Sequence, residues 1–255
     1  MDLNFDTALL SNYVSNSQKA RILTEKWTLN NIYCPSCGDF VNEYANNAPV
    51  ADFYCSKCNE DFELKSKSGK FNASISAGAY SEMIKRISSR EKPNFFFLEY
   101  VAKLLNVNDF FVVPKHFIIK EIIEERKPLK ETAKRAGWVG SNIKFSKIPK
   151  AGQIYYVEKG IEIPKPIVLE KWQKTVFLKK VDDVNAKGWI LDIMNCIDSL
   201  NKKDFTLQNI YAFENDLSVI HPENKNIKPK IRQQLQFLRD KGYLEFIEAG
   251  KYRLR

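Results

Sequence analysis

Histidine is nearly missing from this sequence. Two occur in 255 residues, His116 and His221. Three-histidine zinc hydrolases, histidine-centred nucleases and Ser-His-Asp triads all need an imidazole beside a metal or a nucleophile. His116 sits in the apolar run VVPKHFII and His221 precedes Pro222 at a helix end, so both read as structural. No run of 18 apolar residues occurs, which excludes a transmembrane helix. The opening MDLNFDTALLSNYV has no positive segment followed by an apolar one. No signal peptide is therefore expected, and the expectation is a cytoplasmic protein with no membrane partner. Hydrophobic residues at 44% exclude disorder of the whole chain.

What is present is positive charge. Forty Lys and Arg against 31 Asp and Glu give a net charge of +9. That balance fits a polyanionic partner, nucleic acid first; a lysine-rich solvated surface is the other reading. At about 150 residues per domain the length allows one large domain or two ordinary ones.

The segment to residue 185 reads as mixed α/β. Helical periodicity runs over residues 6–30, with Leu9, Leu10, Tyr13 and Val14 on one stripe and Ala20, Ile22, Leu23 and Trp27 following. Residues 61–66 alternate as a strand, and AGAYSEMIKRISSR (77–90) predicts a helix. NFFFLEYV (94–101) and DFFVVP (109–114) predict buried strands, as does QIYYVEKG (153–160). Residues 126–153 read as a long surface loop. Near 186 the polar stretch KKVDDVNAKG reads as a linker to a smaller domain over 186–255. There, Trp189, Ile193, Cys196, Ile197 and Leu200 share a helix face. A second helix runs from an N-cap at Thr206 to His221-Pro222, and a third starts with Pro229 at its first position and stops before Gly242. A hairpin follows around Ala249-Gly250. Three helices and a hairpin make the winged-helix plan.

Cys34-Pro-Ser-Cys37 and Cys55-Ser-Lys-Cys58 form two knuckles with the spacing of a four-thiolate zinc site. A two-residue spacer turns both sulfurs toward one ion, and Gly38 supports the turn. Four thiolates leave no open position, so the zinc is expected to hold the fold. The rival is a redox pair, for which a thioredoxin-like context is missing. Cys196, on an apolar helix face, reads as core.

Asp52 is followed eleven residues later by Glu63-Leu64-Lys65. Residues two apart on a strand point to one face, so Glu63 and Lys65 project together. Asp52 is expected on the preceding strand, with the second knuckle in the turn between. Hard oxygen ligands suit magnesium, and a lysine can orient or deprotonate an attacking water. An Asp, about ten residues, then Glu-x-Lys is the usual pattern for phosphodiester hydrolysis. A surface ion-pair set is the bland alternative.

Several blocks together resemble the Dam-replacing, or DpnI, family of restriction endonucleases. They are SNSQKARILTEKW (15–27), CPSC…PVADFYCSKC…FELKSK (34–67), KPNFFFLEY (92–100), RKPLKETAKRAGWVGSNI (126–143) and IRQQLQFLRDKG (231–242). The resemblance implies an N-terminal PD-(D/E)xK nuclease domain with a structural zinc site, residues 1–185, and a C-terminal winged helix, 186–255. It implies magnesium-dependent cleavage of double-stranded DNA at GATC carrying N6-methyladenine, with Asp52, Glu63 and Lys65 as the catalytic set. Asp52 and Glu63 would hold the magnesium, with the Leu64 carbonyl as a further ligand. The strict Pro-Asp dipeptide is absent, Pro49 lying three residues before Asp52.

In the third tail helix, Ile231, Leu235 and Leu238 predict the buried stripe. Lys230, Arg232, Gln233 and Gln236 are candidates to meet DNA, since Gln and Arg match adenine and guanine edges in the major groove. A solvated polar face is the alternative. Lys251 and Arg253, with Arg255, are candidates for phosphate contact from the wing. Trp138 is the candidate apolar wall for an adenine methyl group, with core packing as the alternative. No protein partner is implied. A non-catalytic zinc-containing winged-helix DNA-binding regulator would explain charge, cysteines and tail, but not Asp52 in register with Glu63-x-Lys65.

Overall fold

NFFFLEYV carries large apolar side chains on both sides of the strand, so it needs cover on both faces. In the computed structural model, which describes residues 1–10, 15–45, 51–89 and 91–255, it lies at the middle of a seven-stranded sheet. The chain forms two compact units, Met1–Ser146 with Ala151–Gln173, and Lys147–Lys150 with Lys174–Arg255.

The first unit begins with α1 (Asn16–Asn31). It continues through β1 (Asn42–Glu43), β2 (Phe53–Tyr54), β3 (Asp61–Ser68), β4 (Ser74–Ala79) and α2 (Tyr80–Ser88). Then come β5 (Asn94–Val101), β6 (Asn106–Val113), β7 (Ile123–Glu125), β8 (Gly140–Lys144), β9 (Ile154–Glu158), β10 (Ile161–Glu162) and α3 (Lys165–Gln173). The large sheet runs β1-β2-β3-β5-β6-β9-β10. Among the described residues only β3 and β5 pair in parallel in this sheet.

Alternation along β5 separates two aromatic layers. Phe96 stacks on Phe62 with centroids 4.4 Å apart and meets Phe110 at 5.2 Å. On that side Trp27 of α1 reaches Phe110 at 5.4 Å. Phe97 faces the other way, against Phe111 at 5.1 Å and Phe145 at 5.0 Å. The register pairs Glu63 with Phe95 and Lys65 with Phe97, so both polar side chains leave β3 on this second face.

A small antiparallel sheet, β4-β8-β7, carries the row Ile75, Ile143 and Ile123 and feeds directly into α2. Two expectations change here. Residues 77–79 are strand, not helix, because Ser141 and Gly140 pair with Ala77 and Ala79. The expected loop over 126–153 contains β8, whose polar letters conceal a strand with partners on both sides. The helix expected over 6–30 is a 3-10 turn at Thr7–Leu10 and then α1. The stripe expected from Leu9, Leu10, Tyr13 and Val14 lies outside the described side chains, and Pro49 outside the described residues.

The second unit contains α4 (Val184–Ser199), β11 (Asp204–Thr206), α5 (Leu207–Tyr211), α6 (Glu214–Ile220), α7 (Ile227–Asp240), β12 (Leu244–Glu248) and β13 (Lys251–Leu254). Its sheet runs β11-β13-β12, which adds a strand to the expected hairpin. Thr206 caps α5 in a reciprocal box with Asn209, but the helix expected onward to His221 breaks after Tyr211 and resumes as α6. Pro229 is the third residue of α7, not the first. The polar stretch near 186 is already helical, since Asp183 caps α4 through the N–H groups of Asn185 and Ala186. Leu178 in the 3-10 segment Val176–Lys180 is fully buried in this same unit. No helix among the described residues is long and apolar enough to cross a membrane.

Candidate metal centre and active site

The two cysteine knuckles fold by the same bonds. Cys34 N–H donates to Asp39 O at 2.7 Å, and Gly38 N–H returns to Cys34 O at 2.8 Å. Cys55 N–H donates to Glu60 O, and Asn59 N–H to Cys55 O, both at 2.9 Å. The fourth residue after each leading cysteine is left-handed, with φ of 85° at Gly38 and 56° at Asn59. The four sulfurs lie within 4.8 Å of one another, with the Cys34–Cys58 and Cys37–Cys55 pairs at 3.4 Å. A tetrahedron with Zn–S of ~2.3 Å needs S–S separations of about 3.8 Å.

The electrostatics suit a cation as well. Burial raises the Cys34 thiol and pushes Cys58 up to about 11. Burial also opposes the Cys55 thiolate, yet the N–H groups of Cys58 and Lys57 bring it below the ordinary thiol value. N–H groups of Cys37 and Ser36 face the Cys34 sulfur in the same way. This closed, soft donor set could hold one zinc ion. Cys196 is elsewhere, buried in α4, its thiol raised to about 12 by burial.

The second knuckle fills the turn between β2 and β3. Asp52 lies in the bend just before β2, not within the strand as expected. Its N–H donates to Phe62 O at 3.1 Å, and its carboxylate Oδ2 accepts from Leu64 N–H at 2.7 Å. Asp52 is thus held on the backbone of the residue between Glu63 and Lys65. Lys65 Nζ donates to Glu63 Oε1. Arg86 Nε, from α2, lies 2.9 Å from Glu63 Oε2 as an ion pair without hydrogen-bond alignment. Glu63, Lys65 and Arg86 open into a cleft of about 440 Å³ that Glu82 and Lys85 also line.

Burial raises the Asp52 carboxyl above its ordinary range. The Leu64 N–H opposes this rise, and the Glu63 charge adds to it. Behind it on α1, Arg21 Nε bonds Glu25 Oε1 at 2.7 Å, and the Arg21 charge favours the Asp52 anion. Two neighbouring carboxylates, one resisting ionisation, are a donor set that could hold a hard divalent cation. Arg86 was not legible in the sequence. Its signal was the polar edge of an amphipathic helix whose Met83 and Ile87 are buried.

Trp138 is half-buried, with the Arg135 guanidinium 4.5 Å from its ring centre. Its ring lies so close to Gly140 that a Cβ there would sit 2.7 Å away. Around it, Gly137 N–H and Leu129 N–H exchange bonds with Leu129 O and Trp138 O, both at 3.0 Å, making a basic arm of the expected loop.

In the tail, Ile231, Leu235 and Leu238 are fully buried, with Gln234 beside them, while Gln233 and Gln236 are exposed. Lys230 Nζ donates to Gln233 Oε1 at 2.8 Å, and Arg232 donates to the Tyr211 hydroxyl. The cations of the β12–β13 hairpin have acidic partners. Arg253 makes two bonds to Asp204, at 2.7 and 2.8 Å, and Lys251 pairs with Glu248. The histidines are elsewhere. His116 is buried 6.2 Å from the Trp172 ring centre, and His221 bonds Asp192 at 2.8 Å while stacking on Trp189.

Two family models match the chain. One, described as the Dam-replacing family, covers residues 1–181. The other, described as the Dam-replacing HTH domain, covers residues 185–254.

Proposed function

The chain belongs to the Dam-replacing family, and from that premise we propose that it is a magnesium-dependent restriction endonuclease acting on GATC that carries N6-methyladenine. In this reading, residues 1–185 form a PD-(D/E)xK nuclease domain with a structural zinc, and residues 186–255 a winged helix. The observation that carries it is the clasp of Asp52 onto Leu64 N–H, which brings a second carboxylate to the strand that projects Glu63 and Lys65 together. A DNA-binding regulator without catalysis has no use for that arrangement.

Asp52, Glu63 and the Leu64 carbonyl would hold the magnesium. Bound there, it supplies positive charge to the phosphate transition state and acidifies water. Lys65 positions the attacking water and takes up part of the developing negative charge. Its ammonium is already fixed by Glu63, which limits the reorganisation needed. The tail brings α7 to the major groove, with Gln233, Gln236 and Arg232 toward base edges. Trp138 offers an apolar wall, stiffened by Gly140 beneath it and Arg135 above.

The test uses one plasmid prepared with and without adenine methylation at GATC, incubated with magnesium. Cleavage of the methylated form alone is expected. Asp52→Ala and Lys65→Ala should each lose turnover, and Lys65→Ala should keep most metal binding because an ammonium is no ligand. Equal cutting of both plasmids would leave the nuclease and remove the methyl dependence. Wild-type cutting by both variants would place the site elsewhere.

A further inference from the structure

Glu63 is the only proposed metal ligand here that already holds two cations, Lys65 on Oε1 and Arg86 on Oε2. The Glu63 side chain is 15% exposed and Arg86 29%, so water screens their pair only in part. Arg86 is placed firmly, since Met83 and Ile87 on either side of it are 4% and 5% exposed and hold α2 down. A carboxylate whose charge is already matched by two cations attracts a further metal ion less strongly than an unpaired one.

The charge of the cleft points the same way. Lys65, Lys85 and Arg86 are balanced by Glu63, Glu82 and Glu91 along its lining. Asp52 beside them makes the set negative by one. A divalent cation would turn it positive by one, enough to accept a phosphodiester. Without Arg86 the loaded set would be neutral. The same arginine therefore opposes metal binding while the site is empty of metal and supplies the surplus charge once metal is held.

We propose that Arg86 is a displaceable counter-ion of Glu63, giving way to the divalent metal and then offering its guanidinium to the scissile phosphate. The proposal rests on the nuclease reading above. It makes Arg86 a positioning residue for Glu63 before metal binds and a phosphate-binding catalytic residue afterwards. It predicts opposite effects of one substitution on metal affinity and on rate, which a structural role would not give.

The experiment compares full-length wild type, Arg86→Ala, Arg86→Lys and Lys65→Ala. Calcium binding to the DNA-free protein is measured by calorimetry. Single-turnover cleavage of a methylated duplex is measured in magnesium. Arg86→Ala is expected to bind calcium about fivefold more tightly, the upper end of what one such ion pair contributes. It is expected to cleave about 100-fold more slowly, the cost of one missing electrostatic donor. Arg86→Lys should lie between wild type and alanine in both readings. Should the alanine variant fail to fold, Arg86→Gln carries the same two readings. Calcium affinity that falls or stays unchanged on loss of Arg86 overturns the proposal, as does cleavage at the wild-type rate. Lys65→Ala separates the two levels. If it is inactive while Arg86→Ala cuts normally, only the role of Arg86 fails. If Lys65→Ala also cuts normally, the assignment of the active site fails.

Discussion

Asp52 shows what the proposed metal site would ask of a single residue. Its carboxyl is raised by burial and again by Glu63, so as an anion without metal it works against the fold. Asparagine keeps an oxygen for the Leu64 N–H and removes the charge. Asp52→Asn should therefore melt higher than wild type in the absence of divalent ions. A rise of about 2–4 °C is expected, the shift that ~1 kcal/mol gives a unit of this size. The same variant should lose cleavage, and calcium should no longer raise its melting temperature. A lower melting point without metal would show that the carboxylate is needed for the fold itself. That Glu63 and Lys65 leave one face of β3 was legible because strand periodicity is a local rule. Arg86 was not, since its pairing depends on how α2 is carried over β3 by the small sheet.

At the scale of an element, the paired knuckles make an asymmetric prediction. Both use a left-handed residue at the same place, but Gly38 lacks room as well as a side chain. A Cβ there would meet Lys165 Cε at 3.1 Å, and Lys165 Nζ is itself bonded to Gly38 O at 2.5 Å. Gly38→Ala should cost about 1–2 kcal/mol from backbone strain alone, read by thermal melting. Asn59→Gly should be nearly neutral, because Asn already tolerates this conformation. Cys55→Ser should lower bound zinc and cleavage together, since that knuckle closes the β2–β3 turn. Cys196→Ser should change neither, and zinc content by elemental analysis decides both. The knuckles were legible because cysteine spacing is a covalent ruler. The small sheet was hidden, because Ala77, Gly78, Gly140 and Ser141 give no apolar alternation. Their pairing comes from chain direction and from the isoleucine row, which sequence spacing does not reveal.

For the molecule as a whole, the place where one unit ends matters for any experiment that divides it. A boundary at 185/186 removes the Asp183 cap of α4. It also removes the segment in which Leu178 is buried and Phe177 meets Phe237 at 6.0 Å. A fragment starting at 174 should be more stable than one starting at 186. The lost cap accounts for about 1 kcal/mol and the lost leucine for roughly 2–3 more. Urea titration of the two fragments decides this, and equal midpoints would show that Val176–Lys180 is dispensable. The sequence placed the change of character near 186 because polarity rises there. The apolar anchors Phe177 and Leu178 sit just upstream in a run of lysines that masks them.

The acidic partners of the wing bear on how long the protein lingers at the wrong address. A cation already matched by its own carboxylate displaces few counterions from a duplex, so in the proposed DNA-bound arrangement Arg253 and Lys251 would add little to indiscriminate adhesion. If the proposed DNA reading holds, short dwell times on unrelated DNA would follow, and with them a faster survey of the genome. Asp204→Asn would release Arg253, trading that mobility for a tighter and less selective grip.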